Sequence, residues 1–299
     1  MPFEEEGETK KVTRVGTRCQ KQGKGEGQGC EGEPLTTAKA IARNLLADDA
    51  RPLVPLIAET GGLNAMIVDS TALSEQVVRD IIISGFQSAG QRCSALRLLL
   101  LQEDIADEFL EKMTALTRQI VIGDPLAEET QMGPLCTTGQ LENIQREVAH
   151  AQEQGATILA GGKQPDGMGG LFYEPTIIEC PRQDLQIVDT ELFGPVLSVQ
   201  RFKTEEEVLK LANDSEHGLA AGIFTRDSAR SLRMANAVQA GIVWVNTYRV
   251  VSPIAEFGGV KGSGYGRESG FQAIYDYTRP KTIWVNTSDE PISNPFVMR

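Results

Sequence analysis

Apolar and polar positions follow two periods along the chain, one typical of buried strands and the other of amphipathic helices. Short apolar runs predict strands, whereas apolar residues that recur every three or four positions predict helices. The predicted strands cover residues 53–58, 64–68, 96–101, 156–159, 172–178, 196–202, 220–225 and 241–246. The predicted helices cover residues 36–47, 73–82, 105–119, 141–154, 205–212 and 228–238. Strands that alternate with helices predict an α/β fold with a mostly parallel sheet.

The first 33 residues follow neither period. They are rich in Gly, Lys and Glu and contain few large apolar side chains. Such a stretch buries too little apolar surface to offset the entropy lost on folding. Its glycine run at 23–29 follows no predicted strand and lacks the G-K-S or G-K-T ending of a phosphate-binding loop. We therefore expect residues 1–33 to form a disordered tail.

The composition excludes several classes of function. The 299 residues carry a net charge of −12 and are 40% hydrophobic, and the sequence pI is near 4.8. So acidic a chain lacks the basic clusters that bind nucleic acid or anionic membranes. No apolar segment reaches membrane-spanning length, and the acidic first residues do not resemble a signal peptide. We therefore expect a globular protein with neither a nucleic-acid nor a membrane partner.

The cysteines and histidines indicate neither a disulfide framework nor a metal site. The five cysteines are scattered and form no C-x-x-C pair, and the chain has only two histidines. Metal sites and disulfide scaffolds both need closer and more regular spacing of these residues. The expected location is a reducing cytoplasm.

Glu59 and Cys93 are the candidate base and nucleophile. Glu59 ends the predicted strand 53–58 beside a glycine pair, and Cys93 follows Gly90 in a polar segment. A cysteine attacks a carbonyl carbon as the thiolate, and the adduct is released by a water that a base deprotonates. We expect Cys93 to be the first cysteine to react with iodoacetamide. Taken singly, a buried apolar cysteine and a solvated strand end are the more common roles of such residues.

Three short motifs resemble the signatures of one enzyme family. They read E-T-G-G at 59–62, G-Q-R-C at 90–93 and E-L-F-G-P at 191–195. Together they resemble the NAD(P)-dependent aldehyde dehydrogenase superfamily. This resemblance implies an aldehyde dehydrogenase-like catalytic domain with a mostly parallel sheet, together with a remnant of a Rossmann-type cofactor domain.

The resemblance also implies the role of each site residue. Cys93 would form a thiohemiacetal and then a thioester, and Glu59 would activate the water that releases the carboxylate. Glu191 would hold the ribose hydroxyl groups of NAD or NADP, and Phe193 would pack beside the nicotinamide. The implied reaction is the oxidation of a small-molecule aldehyde to a carboxylate.

The substrate remains open between two subfamilies. Residues 57–66, I-A-E-T-G-G-L-N-A-M, and 88–97, S-A-G-Q-R-C-S-A-L-R, most resemble the glutamate-semialdehyde (1-pyrroline-5-carboxylate) dehydrogenase module of proline utilisation A. That module acts in proline catabolism, and the resemblance implies that Ser94 contacts the substrate carboxylate. The later loop 248–259, Y-R-V-V-S-P-I-A-E-F-G-G, instead resembles general aldehyde dehydrogenases.

The same resemblance implies how the chain is organised. The remnant of the cofactor domain would cover 34–59, the catalytic domain 60–258, and a return segment with a C-terminal oligomerisation strand 259–299. Most of the family's cofactor domain is expected to be missing, which implies impaired binding of NAD or NADP. A strand at 281–285 without a partner in its own chain implies a homo-oligomer.

Two other functions stay open beside aldehyde oxidation. A truncated chain without most of its cofactor domain is expected to be inactive as a dehydrogenase, and it would then be a non-catalytic remnant. Alternatively, Cys93 and Glu59 alone would suffice for a cofactor-free thiol esterase, because ester cleavage needs only attack and deacylation.

Overall fold

The computed structural model describes residues 13–15, 34–47, 55–290 and 296. The strands in these residues are β1 (Thr13–Val15), β2 (Leu56–Glu59), β3 (Asn64–Val68), β4 (Leu96–Gln102), β5 (Thr157–Ala160), β6 (Thr176–Glu179), β7 (Val196–Phe202), β8 (His217–Gly218), β9 (Ala220–Phe224), β10 (Ile242–Val245), β11 (Val260–Lys261) and β12 (Gly264–Tyr265). The helices are α1 (Pro34–Ala47), α2 (Ser74–Phe86), α3 (Glu103–Thr117), α4 (Thr138–Glu153), α5 (Glu205–Asn213), α6 (Ser228–Ala237) and α7 (Ala273–Tyr277). Two short 3-10 turns cover Gln87–Gly90 and Gln186–Val188.

A seven-stranded sheet forms the centre of the molecule, in the order β10-β9-β3-β4-β7-β6-β5. Its neighbouring strands are parallel except at one edge, where β5 runs antiparallel to β6. The predicted α/β fold with a mostly parallel sheet is therefore confirmed. The middle strands read N-A-M-I-V and L-R-L-L-L-L-Q, and all but the last of these residues are buried. Near-continuous apolar runs of this kind are typical of parallel strands covered on both faces.

Helices pack on the sheet and enclose the apolar core. Helix α2 packs against α3, β4 and β7, and α6 packs against β9 and β10. Three helices begin at a residue whose side chain accepts hydrogen bonds from the first turn: Thr137 before α4, Thr204 before α5 and Asp227 before α6. These contacts satisfy backbone N–H groups that have no partner within the helix.

A smaller sheet holds the end of β2, where Glu59 lies. Strand β2 pairs in parallel with β1 and antiparallel with β12, which places Gly264 opposite Glu59. Gly264 has a φ of +125°, and an added Cβ would collide with the carbonyl oxygen of Ala58. Thr60 closes the same contact, since its hydroxyl donates to the carbonyl oxygen of Gly262 at 2.6 Å. Gly264 and Gly266 thus allow close backbone packing against β2.

The structure describes the two ends of the chain only in part. Within the expected tail 1–33, residues 13–15 form strand β1, and the others lie outside the described residues. The expected strand at 281–285 has no regular secondary structure here. Its apolar side chains are exposed, with Trp284 at 92%. A strand at the edge of a sheet needs a partner strand for its backbone hydrogen bonds, and among the described residues no strand pairs with this segment.

The described part of the chain contains neither a membrane-spanning helix nor a metal-binding cluster. None of its helices has both the length and the apolar character needed to span a membrane. Nor do three or more His, Cys, Asp or Glu side chains within it come together as a group able to bind a metal ion.

Asp69 joins β3, β9 and α6 at the carboxyl edge of the sheet. Its buried carboxylate accepts hydrogen bonds from the hydroxyl groups of Thr225 at 2.5 Å and Thr71 at 2.6 Å, and from Arg230 Nη1 at 2.6 Å. Burial alone would raise the pKa of Asp69, but these bonds outweigh burial and hold the pKa below its ordinary value. Asp69 therefore stays ionised in the folded protein.

Replacing the cation of this cluster should destabilise the fold. We expect Arg230→Met to lower the free energy of unfolding by about 2 kcal/mol in urea denaturation, because it leaves a buried carboxylate without its cation. This is less than for a fully buried pair, since Arg230 is one-third exposed. The pKa of Asp69 is lowered on folding, so the difference should be full at neutral pH and fade as the pH falls through and below 3.8.

Arg233→Met is the matched control for this prediction. Arg233 lies on the same helix and pairs with Glu205, but it is 57% exposed. We expect a change of about 0.5 kcal/mol for this exposed pair. Equal losses in the two variants would contradict a special role for the buried carboxylate.

Candidate active site

Two loops meet at the amino edge of the central sheet. Cys93 lies three residues before β4, and the segment 191–195 leads directly into β7. Because β4 and β7 are parallel neighbours, the loops before them lie side by side. Strand β2 brings Glu59 to the same region, and the pKa of Cys93 responds to both Glu59 and Glu191. The structure thus brings together the three charged or nucleophilic residues that the motifs single out.

Asn64 holds the Cys93 loop in place from the first position of β3. Its side-chain amide donates to the carbonyl oxygens of Cys93 at 2.7 Å and Ala95 at 2.8 Å. Its side-chain oxygen accepts from the N–H of Ala220 at 3.0 Å. This buried amide is fully used by three backbone groups, and it ties the nucleophile loop to β9. Sequence reasoning missed its role because an asparagine at a strand start resembles an ordinary turn residue.

The backbone before Cys93 is strained. Ser88, Ala89 and Gly90 have φ values of 58°, 52° and 65°, so three consecutive residues are left-handed. Non-glycine residues rarely adopt this conformation, and such outliers persist where the surroundings enforce them. Gln91 is part of those surroundings, since its side chain donates to the Pro134 carbonyl oxygen at 3.2 Å and accepts from the Cys136 N–H at 2.9 Å.

The glycine pair after Glu59 seats the carboxylate of Glu191. Gly61 has a φ of +120°, and the Glu191 carboxylate occupies the space that a Cβ at this position would need. The N–H of Gly62 donates a hydrogen bond to the same carboxylate. Burial raises the pKa of Glu191 to about 7, although Arg97 and this N–H both oppose the rise. The buried Oε1 atom of Glu191 has no hydrogen-bond partner among the described residues.

Cys93 is a free, half-buried thiol. Burial raises its pKa, and the negative charges of Glu59 and Glu191 raise it further. The N–H groups of Ser94 and Cys93 itself act in the opposite direction without cancelling this rise. The thiol is therefore protonated at neutral pH. Cys136 is exposed, so it should compete with Cys93 for iodoacetamide, and the predicted order of alkylation stays a prediction.

Phe193 and Ser94, the remaining predicted site residues, make their contacts in the site through backbone groups. Phe193 has a left-handed φ of 50°, and its carbonyl oxygen accepts a hydrogen bond from Gln140 Nε2. Phe193 is half-buried, two residues from Glu191. Ser94 directs its backbone N–H toward the Cys93 sulfur.

Arg97 is a site residue that sequence reasoning missed. It lies within the apolar run L-R-L-L-L-L of β4 and is only 4% exposed. Its guanidinium donates to carbonyl groups of both motif loops. The available signal was this single arginine in a strand that is otherwise apolar, since a buried charge requires partners.

Residues 34–283 match the family described as "Aldehyde dehydrogenase family". The chain therefore belongs to the aldehyde dehydrogenase family. It is 46% identical over 264 residues to (Z)-2-((N-methylformamido)methylene)-5-hydroxybutyrolactone dehydrogenase of Acinetobacter baylyi, covering 88% of this chain and 53% of that protein. It is 40% identical over 245 residues to 4-trimethylaminobutyraldehyde dehydrogenase of Mus musculus, covering 80% and 50%.

Solved structures show the same relationship. A crystal structure of PnpE in complex with nicotinamide adenine dinucleotide matches with a TM-score of 0.83 and 41% identity, covering 88% of this chain and 53% of that chain. Betaine aldehyde dehydrogenase of Staphylococcus aureus in complex with NAD+ matches with a TM-score of 0.77 and 36% identity, covering 81% and 48%. The chain thus spans about half the length of the relatives it matches.

The electrostatics of the site predict the pH dependence of alkylation at Cys93. We expect its rate with iodoacetamide to rise only at pH values above the ordinary thiol pKa, because burial and two carboxylates disfavour the thiolate. Glu59→Gln removes one negative charge and should move the midpoint to lower pH. Mass spectrometry of labelled peptides over a pH series measures both curves.

Cys136 is the internal control for this experiment, because it is exposed and is alkylated in the same sample. Its curve should not move in Glu59→Gln. A Cys93 midpoint that stays fixed in the variant would show that Glu59 does not act on the thiol.

Proposed function

We propose that this chain carries the catalytic centre of a dehydrogenase that oxidises an aldehyde to a carboxylate with NAD. Cys93 is the nucleophile and Glu59 is the base. The observation that carries the proposal is the convergence of Glu59, Cys93 and Glu191 from three separate segments, close enough for both carboxylates to raise the pKa of the thiol.

Attack on the aldehyde needs a base because the thiol is protonated at neutral pH. In this step the Cys93 sulfur bonds to the carbonyl carbon, the C=O π electrons move to oxygen, and the thiol proton passes to a carboxylate. Glu59 suits this role, since among the charged neighbours it affects the pKa of Cys93 most strongly. The backbone N–H groups of Cys93 and Ser94 stabilise negative charge on the sulfur before the bond forms.

Release of the product uses the same base, after Glu59 has passed the thiol proton to solvent and is a carboxylate again. Glu59 takes a proton from a water molecule, whose oxygen then bonds to the thioester carbon. The bond from carbon to the Cys93 sulfur breaks, and the thiolate leaves with its electron pair. A base with a pKa near the working pH is most effective in such steps.

The residues present fit a nicotinamide cofactor. The Glu191 Oε1 atom is a buried acceptor without a partner among the described residues, and a carboxylate accepts hydrogen bonds from two hydroxyl groups without donating. Glu191 would hold ribose hydroxyl groups, and Phe193 would pack beside the nicotinamide. Such a cofactor, when bound, supplies the hydride acceptor that converts the thiohemiacetal to the thioester. NAD is favoured over NADP, because NAD is the cofactor in the matched PnpE and betaine aldehyde dehydrogenase structures.

The substrate class follows from the relatives and from Ser94. Matched relatives are named for betaine aldehyde, 4-trimethylaminobutyraldehyde and aminoaldehydes, which favours a small aldehyde of this kind. Glutamate semialdehyde is the second candidate, since Ser94 beside Cys93 is the one residue that suits its carboxylate.

The function is tested by pairing ester hydrolysis with aldehyde oxidation. We expect p-nitrophenyl acetate to acylate Cys93 in a burst that Cys93→Ala abolishes. Glu59→Gln should slow the burst and should also slow deacylation, the latter by about 100-fold, because it removes the base that accepts the thiol proton and activates water. NADH formation is measured in parallel with betaine aldehyde, 4-trimethylaminobutyraldehyde and glutamate semialdehyde. Ser94→Ala should affect only the last substrate.

Cys136→Ala is the matched control and should behave like the native chain. A burst that survives Cys93→Ala would rule out the nucleophile. Ester hydrolysis without NADH from any aldehyde would support the cofactor-free thiol esterase instead. A chain with neither activity would be the non-catalytic form.

We also propose that the chain forms a homo-oligomer through residues 281–285. Ile283, Trp284 and Val285 are 72%, 92% and 76% exposed in the single chain, and such an apolar run favours pairing with a second copy. Sizing with light scattering should show an oligomer that Trp284→Ser weakens. Phe271→Ser is the control, because Phe271 is 74% exposed outside this segment. A monomeric native chain, or equal effects of both variants, would contradict the proposal.

A further inference from the structure

Arg97 is a buried cation at the centre of the site that the proposed reaction leaves without a role. It is the second residue of β4, between two buried leucines, and is 4% exposed. Burial lowers its pKa to about 10, so it stays charged at neutral pH. Burying a charge is unfavourable unless it is paired and hydrogen-bonded. The position therefore requires an explanation in terms of its partners.

The partners of Arg97 are the backbones of the two motif loops. Nη1 donates to the carbonyl oxygen of Gly194 at 2.5 Å, and Nη2 donates to the carbonyl oxygen of Gly90. Gly90 begins G-Q-R-C, and Gly194 lies in E-L-F-G-P. A guanidinium group is planar and holds its donors in a fixed fork, so its two arms fix the separation of the two carbonyl groups. Gly90 also lies directly against Gly194, where no Cβ would fit.

The charge of Arg97 acts on the same groups that the reaction uses. It lies close enough to Glu191 to hold the pKa of that buried carboxyl down against the effect of burial. Cys93 and Tyr248 lie close enough to Arg97 for electrostatic interaction when they ionise. The buried Arg97 Nε and the Tyr248 hydroxyl have no hydrogen-bond partner among the described residues. Arg97 is thus in electrostatic contact with the nucleophile, the cofactor carboxylate and a buried phenol.

We propose that Arg97 is a positioning residue of this site, which holds the Cys93 loop and the Glu191–Phe193 segment at a fixed separation through its two carbonyl contacts. The inference rests on the proposed function, because it concerns how the nucleophile is placed relative to the group that holds the cofactor. An arginine that only stabilised the fold would affect acylation and stability together. A positioning arginine affects acylation in a protein that remains folded.

The test uses Arg97→Lys and Arg97→Met in single-turnover acylation of Cys93 by p-nitrophenyl acetate over a pH series. Lysine keeps the charge but cannot reach both carbonyl groups. We therefore expect its maximal acylation rate to fall by about 10- to 100-fold. Any inflection that Glu191 adds to the pH profile should stay in place, because lysine keeps the positive charge that holds down the pKa of this carboxyl. Methionine also removes the charge, so the rate should fall and the inflection should move to higher pH.

Arg201→Met is the matched control. Arg201 is also a strand arginine, on β7, and pairs with Glu179 at 2.6 Å and Asp107 at 2.8 Å. Its partners belong to neither motif loop, so both the rate and the inflection should remain native.

The outcomes separate this proposal from the proposed function. An Arg97→Lys chain that is acylated at the native rate would overturn the positioning role. Failure of both Arg97 variants to fold, judged by circular dichroism and sizing, would also overturn it and assign Arg97 to the fold. A native chain that is never acylated would instead overturn the proposed function. In that case amide hydrogen exchange tests the positioning role of Arg97 without any activity. Arg97→Lys should speed exchange in residues 88–95 and 190–195 but not in β3 or β9, and unchanged exchange in both loops would overturn the role.

Discussion

The site depends on glycines that present no Cβ in the tightest contacts of three chain segments: Gly61, Gly62 and Gly90 where the segments touch each other, and Gly194 where one of them touches α4. Gly61 leaves room for the Glu191 carboxylate, and Gly62 lies against the Cys93 carbonyl group. Gly90 lies against the Gly194 carbonyl group, and Gly194 lies against a side chain of α4. An added Cβ at Gly62 or Gly90 would collide with the backbone of a neighbouring segment, and one at Gly61 would displace the Glu191 carboxylate. The contact between E-T-G-G, G-Q-R-C and E-L-F-G-P is therefore a steric property of the motifs, and the chemistry of the site follows from it.

Such close packing has an electrostatic consequence. It brings two carboxylates near one thiol, which raises the pKa of Cys93 and leaves it protonated at neutral pH. It also buries Glu191, whose pKa rises to about 7. A thiol that is protonated at neutral pH becomes nucleophilic only when a base removes its proton during the attack. The same arrangement protects the thiol from indiscriminate reaction, since the thiolate is the reactive form.

The sequence predicts most of the fold and singles out the candidate site residues. It does not predict the residues that hydrogen-bond the site loops and hold them in place. Periodicity places the strands and helices of the central sheet because each covers several residues of one pattern. Motifs identify Cys93 and Glu59 because their neighbours are unusual in combination. Asn64 and Arg97 escaped notice because each is a single polar residue whose partners are backbone groups on distant segments. Arg97 bonds to Gly194, which is 97 residues away. Strand order and loop convergence must be known before such a contact can be inferred.

The buried carboxylates at the two edges of the sheet differ in their hydrogen bonding, and the one with unused capacity lies beside Cys93. At the carboxyl edge, Asp69 accepts hydrogen bonds from two hydroxyl groups, a guanidinium and a backbone N–H. At the amino edge, Glu191 Oε1, Arg97 Nε and the Tyr248 hydroxyl are buried without hydrogen-bond partners among the described residues. An unsatisfied buried polar atom costs about 1–3 kcal/mol, so the three atoms beside Cys93 require an explanation. Their place beside Cys93 is explained if the unused hydrogen-bonding capacity serves a bound molecule or a reaction step.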